Sequence, residues 1–260
     1  MDQPRTILIT GASSGIGEAL ARLYARAGVL LALTGRDAYR LEAVANACRA
    51  AGARVVMTTV DVTDADGLAA WIGSVDDESP LDLVIANAGI SAGTGGDGET
   101  AAQTRRIFEV NVNGVFNTVL PVIPRMVARG RGQIALMASL ASFRGFPGAP
   151  AYCASKAAIR VWGEALRPDL ARHGVAVTVI CPGFVVSRMT ANNKFHMPLL
   201  MPAARAAAII KRGLERNKAR ISFPWRLYML TRLVAALPAG LTDPLLTRLP
   251  RKGSTTADRT

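Results

Sequence analysis

The chain alternates short β-branched segments with longer segments rich in alanine and leucine. The short segments are apolar without a period of two, which is typical of strands buried on both faces of a sheet. The alternation predicts an α/β fold: a single Rossmann-like, doubly wound parallel sheet of about seven strands with helices on both faces. The candidate strands are residues 6–10, 29–34, 54–60, 81–86, 132–138, 175–180 and 219–223. Such sheets bind ligands at the carboxyl ends of their strands, so we expect the chemistry there.

Charge is concentrated at the C-terminal end. The net charge is +12, and residues 204–260 carry twelve basic and three acidic residues, which is +9 of that total. An anionic partner would therefore meet this end of the chain. No nucleic-acid-binding motif accompanies the basic residues, so we expect no nucleic acid as a partner.

Cysteine and histidine usage limits the location and the chemistry. Three scattered cysteines, Cys48, Cys153 and Cys181, indicate a reducing cytoplasm rather than a disulfide framework. The chain has two histidines and no Cys/His cluster with metal-ligand spacing, so we expect no metal site. The N-terminus lacks a basic region followed by an apolar stretch, which predicts no signal peptide. The expected location is the cytoplasm, either free or at a membrane surface.

The sequence T-G-A-S-S-G-I-G at residues 10–17 follows the first strand and opens a helix. Gly11, Gly15 and Gly17 would allow a tight turn and a close approach to a pyrophosphate, with the helix N-terminus facing the phosphates. The alternative is an ordinary tight turn. At the end of the second strand, Gly35 replaces the acid that would bind the ribose of NAD, and Arg36 follows. Arg36 could pair with a 2′-phosphate, which favours NADP(H) over NAD(H), although it could also be a solvated arginine.

Tyr152 and Lys156 lie four residues apart in a predicted helix and so share one face. A cation near a phenol lowers the pKa of the phenol, which could then exchange a proton during hydride transfer at a carbonyl. The alternative is a partly buried tyrosine beside an exposed lysine. Asp37, near the second strand, could cap the following helix.

Several of these features occur in one order and spacing. T-G-A-S-S-G-I-G, N-A-G at 87–89, Asn111, Ser139, Tyr152-x-x-x-Lys156 and Pro182-Gly183 together resemble the short-chain dehydrogenase/reductase family, over roughly residues 5–223. The resemblance implies that Tyr152 is the general acid or base and that Lys156 lowers its pKa and holds the nicotinamide ribose. It implies that Ser139 binds the substrate carbonyl and that Asn111 positions a water. Asn113 is a competing position for the role of Asn111, and Ser142 for that of Ser139.

The resemblance also implies cofactor contacts along the carboxyl ends of the strands. Asn87 could instead be a turn residue, and Ser187 a helix cap. The implied cofactor-binding residues are Gly11, Ser13, Ser14, Gly15, Ile16, Gly17, Arg36, Asp61, Val62, Asn87, Ala88, Gly89, Tyr152, Lys156, Pro182, Gly183, Val185 and Ser187.

Residues 1–223 are predicted to form the dinucleotide-binding and catalytic domain, with a substrate lid at about 187–203 by the resemblance. Apolar side chains near the lid suggest a hydrophobic or lipid-like substrate, although core packing would also explain them. The predicted substrate residues are Ser139, Phe143, Phe146 and Phe184, with Phe195, Met197, Leu199, Leu200 and Met201 as further candidates for lining the pocket.

Residues 224–260 are predicted to be a basic, amphipathic extension with helices at 224–238 and 241–250. Residues 224–252 could contact an anionic membrane, and the extension could also cover the substrate mouth or pack on a sister subunit. The resemblance implies a homodimer or homotetramer. Pro168 lies within the helix that carries Tyr152 and puts the geometry of that interface in doubt.

The predicted activity is hydride transfer between NADPH and a carbonyl or secondary alcohol, most simply a ketoreductase of a hydrophobic substrate. Two alternatives remain open: a dehydrogenase of a sugar or envelope-polysaccharide precursor, and a non-catalytic NADP-binding regulator.

Overall fold

Seven parallel strands form one sheet in the order β3-β2-β1-β4-β5-β6-β7 in the computed structural model, which describes residues 3–91, 99–191, 193 and 196–247. This confirms the predicted fold. The strands are β1 Thr6–Thr10, β2 Leu30–Thr34, β3 Arg54–Thr58, β4 Leu83–Ala86, β5 Gly132–Met137, β6 Val175–Pro182 and β7 Arg220–Phe223.

The central strands are buried on both faces, which explains why their sequences show no alternation. Every residue of β1, β2, β4, β5 and β6 is buried. Within β1, Ile7 and Ile9 pack into one core and Leu8 into the other, because successive side chains point to opposite faces. The sheet therefore has a separate apolar core on each side.

Helices cover both faces of the sheet. One core receives α1, α2 and α9, and the other receives α3, α5, α6 and α7. The helices are α1 Gly15–Tyr24, α2 Ala38–Ala50, α3 Ala65–Glu78, α4 Ala101–Phe108, α5 Gly114–Val119, α6 Ile123–Arg129, α7 Pro150–Ala171, α8 Arg188–Ala191, α9 Ala203–Glu215, α10 Trp225–Ala236 and α11 Ala239–Leu246.

Helix α7 carries the Tyr-x-x-x-Lys pair and lies very close to the sheet. A Cβ on Gly163 would come within 2.5 Å of Leu136 Cδ1 and 2.7 Å of Val179 Cγ2, so a glycine is needed for this approach. Pro168 does not end the helix, which has 22 residues in total. The proline lies well beyond the Tyr152 end, where its missing N–H leaves the first turns of the helix intact.

Beyond β7 the chain continues into α10 and α11. Leu227 on α10 lies over Gly183, while Arg144 binds the extension by donating to Thr242 Oγ1 and Asp243 Oδ1, each at 2.8 Å. Part of the second predicted helix, residues 248–250, falls outside the described residues, as do 251–260. Among the described helices, none is both long and apolar enough to cross a membrane.

Candidate active site

The turn after β1 is bonded to the turn after β4, at the point where the strand order reverses. Asn87 donates from Nδ2 to the carbonyl oxygens of Thr10 at 2.9 Å and Gly11 at 3.2 Å. The main-chain N–H groups of Asn87 and Ala88 both donate to Thr10 Oγ1, at 3.0 and 3.1 Å. Such a reversal point opens the crevice in which doubly wound sheets bind ligands. Asn87 thus acts on the glycine turn in this structure, and its own contact with a cofactor remains a prediction.

The glycine turn is pressed against these residues so closely that side chains would not fit. Gly11 has φ +66°, and a Cβ there would lie 2.9 Å from the Cα of Ala88. A Cβ on Gly17 would lie 2.6 Å from Asn87 Nδ2. The backbone surface of the turn is therefore bare, as close approach of a phosphate requires.

The N-terminus of α1 has no side-chain cap. Ser14 is at the N-cap position but makes no capping hydrogen bond, whereas Asp37 caps α2 and Asp64 caps α3. The first-turn N–H groups of α1 and the positive end of its dipole are therefore available to an anion. Together with the bare glycine turn, this arrangement fits the pyrophosphate of a dinucleotide.

The end of β2 has room for a phosphate-binding arginine but little room for a carboxylate. A Cβ on Gly35 would lie 3.0 Å from both Cβ and Oγ of Ser13. Arg36 is exposed, and in the described part of the chain no hydrogen bond or ion pair holds its guanidinium. Asp37 caps α2, as expected, and it also pairs with Arg40 at 2.8 Å. Arg40 was not among the predicted site residues, although its position three residues after a capping Asp37 could have indicated it.

Asp61 and Val62 follow β3 at the same edge of the sheet. Burial alone would raise the pKa of Asp61, but hydrogen bonds from Thr63 and the charges of Arg106 and Arg36 bring the pKa below its usual range. Val62 is buried, and Asn117 donates to its carbonyl oxygen at 2.9 Å. An ionised carboxylate and an apolar wall thus lie side by side at the predicted adenine position.

Ser139 and Tyr152 meet at the carboxyl end of β5. Ser139 accepts from the N–H of Ala141 at 3.1 Å, which fixes its side chain at the start of a 3₁₀ turn, Leu140–Ser142. Burial raises the pKa of Tyr152, and a hydrogen bond with Ser139 opposes that rise. The Tyr152 hydroxyl is therefore protonated at neutral pH and lies beside the Ser139 hydroxyl.

Lys156 is buried rather than exposed, so the alternative of a solvated lysine does not hold. Its Nζ donates to the main-chain carbonyl of Met137 at 2.9 Å and lies 5.9 Å from the ring centroid of Tyr152. Burial lowers the pKa of Lys156 to about 8. The expected lowering of the Tyr152 pKa by Lys156 is not seen, because burial of the phenol dominates and raises that pKa.

Asn111 lies in a π-helical turn, Glu109–Asn113, and is fully buried. Its side chain accepts from the N–H of Ile90 at 2.8 Å and donates to the carbonyl of Ile90 at 2.9 Å and to Ser155 Oγ at 3.1 Å. Its competitor Asn113 is exposed and donates a hydrogen bond to Glu109. A Cβ on Gly89 would meet Asn111 Oδ1 and Lys156 Nζ, both at 3.1 Å. The loop after β4 thus brings Asn111 and Lys156 to one point.

The segment after β6 closes over the glycine turn. Ser187 caps α8 by accepting from the N–H of Thr190 at 3.3 Å. The Cβ of Ser187 lies 3.0 Å from the position that a Cβ on Gly15 would take. Ser187 is therefore both the cap and a neighbour of the predicted pyrophosphate site. Between the turn and this segment lies a cavity of about 650 Å³, lined in part by Ser13, Ser14, Arg40, Ser187 and Arg188.

Pro182, Gly183 and Val185 run along the inner side of that segment. Gly183 donates its N–H to the carbonyl of Phe223 at 2.7 Å. Val185 pairs with Met201, so the ends of the predicted lid are held together. Met201 is buried in the core, which favours the packing interpretation for that residue, while Leu199 and Leu200 are exposed. Phe195 lies outside the described residues.

Two of the predicted substrate phenylalanines line one cavity. Phe143 and Phe146 line a second cavity of about 650 Å³ between the loop after β5, α7 and α11. Phe143 also packs edge-to-face on Tyr228 at 5.4 Å and lies under Arg160 at 4.7 Å. Phe184 is half-buried beside the lid, and its carbonyl accepts from Met201. Neither Ser139 nor Tyr152 lines the second cavity, so a substrate role for Phe143 and Phe146 remains a prediction.

Comparison with known proteins gives matches over nearly the whole chain. A sequence model of the family described as short chain dehydrogenase matches residues 5–197. An uncharacterized oxidoreductase of Myxococcus xanthus is 44% identical, over 94% of this chain and 97% of its own. The ketoacyl reductase HetN of Nostoc sp. is 32% identical, over 80% of this chain and 74% of its own.

Solved structures agree with the fold and differ in the cofactor that they hold. A short-chain dehydrogenase from Sphingobium yanoikuyae in complex with NADPH has a TM-score of 0.79 at 28% identity, covering 98% of this chain and 99% of that one. A short chain dehydrogenase/reductase from Burkholderia phymatum in complex with NAD has a TM-score of 0.81 at 26% identity, covering 95% and 96%.

Proposed function

The chain belongs to the short-chain dehydrogenase family of NAD(P)-dependent oxidoreductases, and on that premise we propose that it is an NADPH-dependent ketoreductase, or the corresponding alcohol dehydrogenase in reverse. The observation that carries the proposal is the meeting of Ser139 and Tyr152 beside buried Lys156. A protonated phenol next to a second hydroxyl can hold a carbonyl oxygen and protonate it.

The roles of the chain's own residues follow from their protonation and positions. The Tyr152 hydroxyl gives its proton to the substrate oxygen, and the Ser139 hydroxyl donates a hydrogen bond to the same oxygen. Lys156, mostly protonated at neutral pH, stabilises the phenolate that Tyr152 becomes. Asn111 fixes the loop after β4 against Lys156. NADPH, when bound, supplies the hydride.

We favour NADPH because the guanidinium of Arg36, at the end of β2, makes no hydrogen bond or ion pair within the described residues, and because the space at Gly35 is restricted. Such a guanidinium can bind a 2′-phosphate in a bidentate manner, while Gly35 stands where an acid would bind the ribose. Gly11, Ser13, Ser14, Gly15, Ile16 and Gly17 would hold the pyrophosphate, and Asp61 and Val62 would face the adenine.

We propose a hydrophobic, lipid-like carbonyl substrate. Phe184 and the exposed leucines of the lid support this choice, as does the similarity to a ketoacyl reductase. A sugar or envelope-polysaccharide precursor is the alternative substrate class, and a non-catalytic NADP-binding regulator is the alternative function. We further propose a homodimer or homotetramer and a peripheral contact of residues 224–252 with an anionic membrane.

The proposal is tested by an NADPH-oxidation screen over long-chain ketones, 3-ketoacyl thioesters, quinones and keto-sugars. We expect turnover with at least one apolar ketone or thioester. Turnover of keto-sugars alone would favour the alternative substrate class. NADPH binding with no turnover of any compound would favour the regulator.

A further inference from the structure

The outer face of α10 is a large exposed apolar surface on a helix that is firmly attached to the sheet. Four residues on this face and one at the C-cap of the helix have 42% to 67% of their surface exposed. We call them the apolar stripe: Trp225, Met229, Leu230, Leu233 and Leu237. Steps of four residues place most of them in one row along the helix. Neighbouring exposed apolar side chains of this kind indicate a docking site.

The opposite face of α10 holds the helix beside the catalytic residues. Leu227 and Tyr228 pack on the cluster that contains Leu140, the residue after Ser139, and Leu227 also lies over Gly183. Thr231 is buried. A helix with its side chains is about 10 Å across, so the stripe lies roughly that far from the carboxyl end of β6.

The charges around the stripe select its partner. Residues 224–242 contain Arg226 and Arg232 and no Asp or Glu. Both arginines are exposed, and Arg226 lies 5.6 Å from the Trp225 ring. The partner of such a surface must be both apolar and anionic. A bilayer that contains anionic lipids meets both conditions, with tryptophan at the headgroup level and arginines at the phosphates.

Two other candidates for covering the stripe fit these observations less well. A second copy paired through the same stripe would bring four arginines together without a carboxylate. Residues 248–260, outside the described part, contain four basic residues, one acid and a single large apolar residue, Leu249. That segment has the wrong charge and too little apolar surface to cover the stripe.

We propose that the apolar stripe of α10 docks this protein on an anionic lipid surface, with the catalytic cleft next to the bilayer. A lipid-like substrate would then reach Tyr152 from the membrane without crossing bulk water. This last step rests on the proposed ketoreductase activity. The docking narrows the proposed membrane contact of residues 224–252 to one face of α10 and does not depend on that activity. The two can therefore fail separately.

Docking is measured by co-sedimentation of the full-length protein with phosphatidylcholine vesicles, with and without phosphatidylglycerol. We expect binding only when phosphatidylglycerol is present, and weaker binding as salt screens the arginines. The Trp225 emission should shift to the blue on binding, and the shift should disappear in Trp225→Phe. Absence of binding, or equal binding to both vesicles, overturns the proposal.

The double variant Met229→Gln/Leu233→Gln tests the stripe itself. Because each side chain is more than half exposed, the fold should tolerate both changes, and vesicle partitioning should fall about tenfold or more. Leu120→Gln is the matched control, since Leu120 is 54% exposed on a different surface, and it should bind as wild type. Unchanged vesicle binding by the double variant overturns the proposal. Loss of an oligomer without loss of vesicle binding assigns the stripe to a second copy and overturns it as well.

Arg226→Glu and Arg172→Glu change the net charge equally but at different places. Arg172 is exposed at the C-cap of α7, where it pairs with Asp169 at 3.3 Å and donates to the Asp169 carbonyl at 3.0 Å. We expect a large loss of vesicle binding for Arg226→Glu and a small one for Arg172→Glu. Equal losses would mean that diffuse charge drives binding and would contradict the assignment to α10. NADPH titration of each variant should match wild type, which separates docking from the catalytic proposal.

Discussion

The Lys156 ammonium donates to the main-chain carbonyl of Met137, the last residue of β5, at 2.9 Å. Ser139 lies two residues further along the same segment. The carboxyl end of β5 therefore holds the lysine through a main-chain carbonyl and places the serine hydroxyl beside Tyr152. The proton donor, the hydroxyl that assists it and the cation are positioned by the same few backbone atoms.

Burial of Lys156 predicts a pH dependence of stability. Its pKa is about 8 in the folded protein, against an ordinary 10.5, so the unfolded chain binds more protons between these values. This group therefore makes the folded state more stable as pH rises from about 8, by at most about 1.4 kcal/mol per pH unit. The measurement is urea unfolding of wild type and Lys156→Met at several pH values from 7 upward, about one unit apart. The difference between the two should change with pH only above about 8, and a constant difference would contradict the burial.

Arg36→Ala tests the cofactor preference. Loss of a charge-assisted contact to the 2′-phosphate should weaken NADPH binding about 10- to 100-fold and leave NADH binding nearly unchanged. Fluorescence titration of both cofactors gives the two dissociation constants. Arg172→Ala, at an exposed site remote from β2, is the control. An equal loss of affinity for both cofactors in Arg36→Ala would show that Arg36 does not bind the 2′-phosphate.

Gly17→Ala tests the packing of the phosphate turn. The new Cβ would lie 2.6 Å from Asn87 Nδ2, so the turn or the asparagine must move. We expect NADPH affinity to fall at least about tenfold with a lower melting temperature. Gly145→Ala is the matched control, because nothing lies within 4 Å of its Cβ position and its φ is not positive. Similar behaviour of both variants would refute the close contact.

Asn111→Leu tests whether this buried amide has a structural role. It would leave the N–H and carbonyl of Ile90 without their partner, which should destabilise the protein by about 2–4 kcal/mol in urea unfolding. Asn113→Leu removes only an exposed bond to Glu109 and should lie within about 0.5 kcal/mol of wild type. A stable Asn111→Leu protein would mean that the loop after β4 does not depend on the amide.

The fold was predictable because alternation of apolar strands and helices admits few architectures, and all seven strands lie within two residues of their predicted limits. The placement of Tyr152 and Lys156 on one helix face followed from their spacing, whereas Ser139 was assigned from the family resemblance. The burial of Lys156 did not follow from spacing, because it depends on the Met137 carbonyl from a different element. The grouping of Phe143 and Phe146 around the second cavity likewise depends on how α11 packs on the loop after β5, which no local pattern records.

In the proposed mechanism, the Tyr152 hydroxyl protonates the substrate oxygen. The most direct test of this step is single-turnover NADPH oxidation by Tyr152→Phe, with the best substrate from the screen and with NADPH affinity measured on the same protein. Tyr39→Phe, at a tyrosine that is 87% exposed, is the control. We expect both variants to bind NADPH as wild type does. The hydride-transfer rate should fall at least about 100-fold in Tyr152→Phe and not at all in Tyr39→Phe. Full hydride transfer in Tyr152→Phe would contradict the proposed mechanism.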